Sequence, residues 1–251
     1  MITKSSLIKD LENLGIDSNG TLLVHSSMKS IGNVDGGADT VLNALSEYMN
    51  NGLLVFPTHT WSYINHDGAV FDVRQSPSCV GILSELFRKR PGVHRSLHPT
   101  HSVAALGRDA EDFVSGDERF QTPCARGSAW GRLIDRHAAI LLIGVDQSRN
   151  TFIHGAEEWA GIPDRLSDRP MELYTLNREG TRIRVPVYGH TTPAWDHYPK
   201  VDDILKARGI MHMGRFGQAE TRLCAAPKTA ELIGDLLRQS PELFSNDKPL
   251  T

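Results

Sequence analysis

Three stretches of this sequence place imidazole, hydroxyl and carboxylate groups close enough to do chemistry together. In NTFIHGAEEWAG (150–161), His154 and Glu157 lie three residues apart, so on a helix they share a face. A carboxylate beside an imidazole holds it in one tautomer and makes it more basic, as a general base requires. The same spacing also occurs as plain helix decoration, and without His-Glu-x-x-His it makes a poor metal site. No metal is expected.

In TLLVHSSMKSIG (21–32), an apolar run breaks into His25, Ser26, Ser27, Met28, Lys29, Ser30 and Ile31. Hydroxyls and backbone N–H groups near a helix start suit an anionic group, and Lys29 adds a point charge. Neither Gly-x-x-x-x-Gly-Lys-Ser/Thr nor Gly-x-Gly-x-x-Gly occurs, and serines in such a loop can equally be turn caps. In RSLHPTHSVAALG (95–107), His98 precedes a proline and so takes extended or turn geometry, while His101 and Ser102 enter a strand. A histidine there is either a satisfied core residue or a ligand. Trp61, Trp130 and Trp159 fall in or near these segments, as cavity walls or as core.

The elements that must position these groups follow from periodicity and turn chemistry. Leu7, Leu11 and Leu14 predict a first helix stopped by Gly15. TLLVHS and GLLVFPT read as buried strands around the amphipathic run Val41, Leu42, Leu45, Tyr48 and Met49, a parallel strand–helix–strand unit. Residues 58–78 read as a long loop, of the kind that lines a site. VGILSELFRKR, AEDFVSG and SAWGRLID read as helices, and SVAALG and HAAILLIG as strands. The last of these leads into the helix of His154. ELYTLN and TRIRVPVYG, joined by Arg178-Glu179-Gly180, read as an antiparallel hairpin, with helices DDILKARG and TAELIGDLLRQ after it.

At 251 residues, with 39% apolar and 23% charged residues, the chain suits one α/β domain, taken as 1–251. A net charge of −3 argues against a nucleic-acid surface, and no run of 18 apolar residues suggests a membrane span. Three scattered cysteines, Cys79, Cys124 and Cys224, fit reduced, cytoplasmic chemistry rather than a disulfide scaffold.

Together, HSSMKSIG, GLLVFPTHTW, VGILSELFRKRPGVHRSLHPTHSVAALG and NTFIHGAEEWAGIP, in this order over nearly the whole chain, resemble the aminoglycoside 3-N-acetyltransferase family. The resemblance implies an α/β fold: a mixed central sheet flanked by helices with a smaller antiparallel region, here near 165–200. It implies acetyl-CoA as co-substrate, lying along His25, Ser26, Ser27, Met28, Lys29, Ser30 and Ile31, with His98 and Ser102 bordering its channel. His154 would be the catalytic base, Glu157 its partner, and the acceptor the 3-amino group of an aminoglycoside antibiotic. With no nucleophile elbow, transfer is expected to be direct. A cationic acceptor would call for carboxylates, for which Asp67, Glu158 and Asp196 are the candidates. A family enzyme acting on another amine metabolite, and a non-catalytic coenzyme A-binding protein, stay open, as does a homodimer.

Overall fold

The computed structural model describes residues 1–191, 194–246 and 248 of the chain. Its first half runs through helix α1 (Lys4–Asn13), strand β1 (Thr21–Ser26), α2 (Met28–Ile31), α3 (Gly37–Tyr48), β2 (Leu53–Pro57), β3 (Val70–Asp72), α4 (Ile82–Phe87), β4 (His94–Arg95), β5 (Val103–Gly107) and α5 (Ala110–Val114). The second half runs through α6 (Ala129–Asp135), β6 (Ala139–Ile143), α7 (Thr151–Ala160), β7 (Met171–Leu176), β8 (Arg182–Val187), α8 (Asp202–Ala207), β9 (Met211–Phe216), β10 (Ala219–Ala225) and α9 (Ala226–Gln239).

Seven strands form one mixed sheet in the order β4-β5-β2-β1-β6-β10-β9. β1 lies in the middle, parallel to β2 (Leu22 opposite Leu54) and to β6 (Leu23 opposite Ile140). The outer strands add antiparallel. A strand covered on both faces reads as a continuous apolar run, which is why TLLV, LLVF and AILLI show no alternation. The two-residue period still sorts their side chains. Leu22, Val24, Leu54, Phe56, Leu141 and Ile143 face a core shared with α1 and α3. Leu23, Val55, Ile140 and Leu142 face the other core, with Trp130, Phe152 and Leu237 from α6, α7 and α9.

The hairpin forms as β7 and β8, with Met171 opposite Val187. One segment differs from its sequence reading: within 58–78, Val70–Asp72 is a strand, parallel to β7, so the smaller sheet has the order β3-β7-β8. Three residues are too few to show a period, and only the finished hairpin offers β3 its edge. Phe71 is buried there with Ile64, Val73, Leu173, Val185 and Val187 in a third, small core.

The three central strands end on the same side of the sheet, where open α/β folds place ligands. β1 ends in His25 and Ser26, β2 leads to His59 and Thr60, and β6 leads through Gly144 to α7. Gly144 is required: at φ 62°, a Cβ on it would stand 2.2 Å from that of Ser30, so only glycine lets these two segments meet. Asn150 caps α7 by accepting from the N–H of Phe152 at 3.3 Å, and Gly161, left-handed at φ 66°, ends it. With Phe152, Ile153 and Ala156 held in the core, His154 is left facing the site. Among the described residues, no helix is long and apolar enough to cross a membrane.

Candidate active site

A cleft of about 370 Å³ opens where β2 and β6 end, walled by His59, His101, Thr151, His154, His190, Trp61 and Trp195 among others. His154 is the centre of its polar wall. Its Nδ1 lies 2.6 Å from the hydroxyl of Tyr198, and that hydroxyl donates to Glu157 Oε2. A phenol has one proton, so if it serves the carboxylate, the oxygen must accept from Nδ1–H. The network thereby assigns the proton to Nδ1 and leaves the Nε2 lone pair free. Glu157 itself stands 3.6 Å from Nδ1, too far for a direct bond. The partner inferred from His-x-x-Glu spacing therefore acts through an interposed tyrosine.

Glu157 is only 2% exposed and is charge-paired: Arg165 Nε donates to its Oε1 at 2.7 Å. Burial alone would raise its pKa. The neighbouring His154, the hydrogen bond from Tyr198 and the Arg165 charge outweigh burial and hold the carboxyl below its ordinary range. Burial, then the Glu157 charge, pushes the Tyr198 phenol well above its usual range, so it remains a donor. Burial chiefly, and the neighbouring His190, lower His154 to about 4, against the opposing pull of Glu157. His154 is therefore neutral at pH 7.

His190 stacks on His154, with ring centroids 4.1 Å apart and planes at 17°. Its Nε2 meets Glu158 Oε1 at 2.9 Å, and the same oxygen accepts from the N–H of Cys124 at 2.9 Å. His101 contacts His190 edge-on at 5.6 Å and His59 at 4.5 Å. Burial, together with the neighbouring imidazoles, holds His59 and His101 well below the usual histidine range. His59, His101 and His154 are therefore uncharged at neutral pH.

A second cleft, of about 540 Å³, shares Ser148 and Arg149 with the first and is bordered by Ser30, Gly144, Asp146 and Arg222. Ser27 caps α2, and Ser30 Oγ donates to Ser27 Oγ at 2.9 Å and to the Gly144 carbonyl at 3.2 Å. Arg149 is exposed, whereas Arg222 is engaged by Asp202 at 2.8 Å.

The residues singled out from sequence are distributed unevenly over this geometry. Of the His25–Ile31 stretch, Ser30 borders the second cleft, Ser26 and Ser27 are half-buried beside it in sequence, and Lys29 is exposed. Met28 and Ile31 pack into the core, and His25 is buried against Trp130. His98 is a turn former: its Nδ1 accepts from the N–H groups of Thr100 and His101 at 3.3 and 3.0 Å. Ser102 is buried in a network around Arg95, donating to the Thr58 carbonyl at 2.8 Å and accepting from Arg95 Nε at 3.2 Å. Neither His98 nor Ser102 borders either cleft.

Among the candidate carboxylates, Glu158 stands behind His190, whereas Asp67 and Asp196 are exposed and off the walls. Asp67 accepts from the N–H of Glu172 at 2.9 Å and ties its loop to β7. Sequence reasoning missed Tyr198, Arg165, His190, His59, Arg149 and Trp195. None follows a motif of its own.

A mixed seven-stranded sheet with this imidazole-bearing helix at its carboxyl edge defines a known class. The family model described as aminoglycoside 3-N-acetyltransferase matches residues 23–238, and the chain belongs to that family of enzymes. It is similar to aminoglycoside N(3)-acetyltransferase IV of Salmonella sp, 32% identical over 244 residues that cover 96% of this chain and 89% of the relative. It is also similar, at 29% identity, to a Bacillus subtilis (strain 168) prophage-derived aminoglycoside N(3')-acetyltransferase-like protein, YokD, with 88% and 87% of the two chains covered. Among solved structures, aminoglycoside acetyltransferase AAC(3)-IVa superposes with a TM-score of 0.85 at 29% identity, covering 97% of this chain and 91% of that one. A histidine-to-alanine mutant of the same enzyme, in complex with a gentamicin, superposes equally well.

Proposed function

We propose that this protein transfers an acetyl group from acetyl-CoA to a primary amine, with His154 as general base. The observation that carries this reading is the chain from His154 Nδ1 through Tyr198 to Glu157 and Arg165, which presents a neutral imidazole lone pair to a cleft. A binding protein has no use for such an arrangement. The amine nitrogen attacks the thioester carbonyl carbon, a C–N bond forms and the C–S bond breaks. His154 takes the proton from nitrogen, and the departing sulfur ends as the free thiol. As the imidazole becomes positive, Tyr198 and Glu157 lie where they stabilise it. Such assistance is worth on the order of a hundred- to ten-thousandfold.

The second cleft suits the coenzyme. Arg149 offers an exposed guanidinium for phosphate, and Ser30 and Ser148 offer hydroxyls beside it. Ser26, Ser27 and Lys29 neighbour Ser30 in the chain, whereas His98 and Ser102, off both clefts, are not proposed as coenzyme contacts. In such a frame the coenzyme supplies an activated acetyl thioester, and the chain's residues bind and orient it. Burial raises Cys124 well above its ordinary range and Cys224 to about 11, so neither of these two thiols is a ready nucleophile, in keeping with direct transfer. The free cysteines are in keeping with a cytoplasmic enzyme.

Family membership and the gentamicin-bound relative support an aminoglycoside 3-amino group as acceptor. A second reading, another amine, is favoured by the wall of this particular cleft. The test of the base is His154→Ala: release of free thiol from acetyl-CoA should fall at least about a hundredfold at saturating amine. Near-normal turnover would refute the assignment.

A further inference from the structure

The acceptor cleft is unlike a receptor for a polycation. Among the described residues that line it there is no aspartate or glutamate, and its one formal charge is positive, Arg149. The nearest carboxylates are turned inward: Glu157 serves Tyr198 and Arg165, and Glu158 serves His190 and the Cys124 amide through Oε1. The wall instead carries Trp61, Ile64, Val80, Met171, Val187 and Trp195. Two of these are large aromatic side chains left open to solvent, Trp61 at 49% and Trp195 at 36%, which core packing does not explain. Trp195 stands 6.0 Å from the ring of His154, edge to face.

We propose that the preferred acceptor is an aromatic monoamine: one amino nitrogen on a flat apolar body, with no second cationic group. This rests on the His154 reading above and names the acceptor of that same site. Each further ammonium carried into this cleft would lose water without gaining a counter-charge from its walls. A single nitrogen avoids this cost. It sits against Trp195 as it approaches, gaining a cation–π contact while charged, and gives its proton to His154 as it reacts. An aromatic body then packs against the indoles that line the cleft, where stacked or edge-on contacts add to simple burial.

The experiment compares 2-aminonaphthalene, phenethylamine and gentamicin as acceptors, reading free thiol released from acetyl-CoA. The better aromatic monoamine should exceed gentamicin in kcat/KM by about a hundredfold. Trp61→Ala and Trp195→Ala should each lower kcat/KM for that amine about three- to tenfold with the KM for acetyl-CoA unchanged, and Trp195→Phe should restore most of the loss. Both side chains are solvent-exposed, and thermal melts verify that the variants fold. Gentamicin turned over as well or better, neither aromatic amine turned over, or kcat/KM unmoved in both tryptophan variants would each overturn the proposal. Running His154→Ala on whichever acceptor is used separates the two readings. If gentamicin is preferred and its turnover is lost in that variant, the acceptor class falls and the base stands. Binding of acetyl-CoA by calorimetry reports the coenzyme site independently of any amine.

Discussion

The hydroxyl of Tyr198 stands 2.6 Å from Nδ1 of His154 and bridges that imidazole to Glu157. This relationship makes the orientation of the base depend on a residue 44 positions away along the chain. Tyr198→Phe keeps the ring and removes the bridge, leaving Nδ1 and the carboxylate 3.6 Å apart. It should lower kcat about tenfold to a hundredfold while the KM for acetyl-CoA stays put. Steady-state kinetics decide, and an unchanged kcat would remove Tyr198 from the mechanism.

Arg165 holds the charge of Glu157 inside the protein, with side chains 7% and 2% exposed. Arg165→Met leaves a buried carboxylate without its counter-charge, which costs about 3–5 kcal/mol. In the native protein the Glu157 pKa is depressed. Its contribution to stability is thus present above the unfolded carboxyl pKa and lost as pH falls through the folded value. Urea unfolding should show Arg165→Met losing stability at pH 7, with a flatter pH dependence near pH 4. A variant as stable as the parent would show that the pair is not needed.

Burial holds His25 and His98 down to about 3. Unfolded, each titrates at about 6.5, so between these values the unfolded chain binds more protons. Stability must therefore drop as pH falls from about 6.5 toward 3, by about 2 kcal/mol per histidine at pH 5 relative to neutral pH. Denaturant titrations at pH 7 and pH 5 test the sum. Histidine NMR tests the individuals, and a His98 signal titrating near the ordinary histidine value in the folded protein would contradict its buried, neutral state.

Arg149 borders both clefts and is exposed. If it binds coenzyme phosphate, Arg149→Ala should raise the KM for acetyl-CoA about tenfold. The parent's affinity should also weaken with added salt more steeply than the variant's. Equal salt slopes would place the phosphates elsewhere.

Much of the architecture was legible because it rests on local patterns. A strand buried on both faces must be apolar at every position, so TLLV, LLVF and AILLI announced buried strands. His154 and Glu157 were readable for the same reason, since three residues on a helix bring side chains to one face whatever surrounds them. β3 escaped notice because its only partner is a hairpin edge about a hundred residues on.

The rest of the site is a matter of long-range contact. Whether Ser102 points to a cleft or to Arg95 depends on which side of β5 faces which layer, and the structure turns it inward. Asp67 and Asp196 are acids near the site in sequence, yet each side chain faces solvent. Trp61 and Trp195 come from distant segments and line the same cleft, which no periodicity or motif announces. The sequence alone determined the layers and the pairing of His154 with Glu157 on one helix face, because hydrophobic period and helical spacing are local. Only the tertiary structure decided what stands behind that base and what lines the cleft before it, because hydrogen bonds and walls are made between residues that the chain brings together only once it has folded.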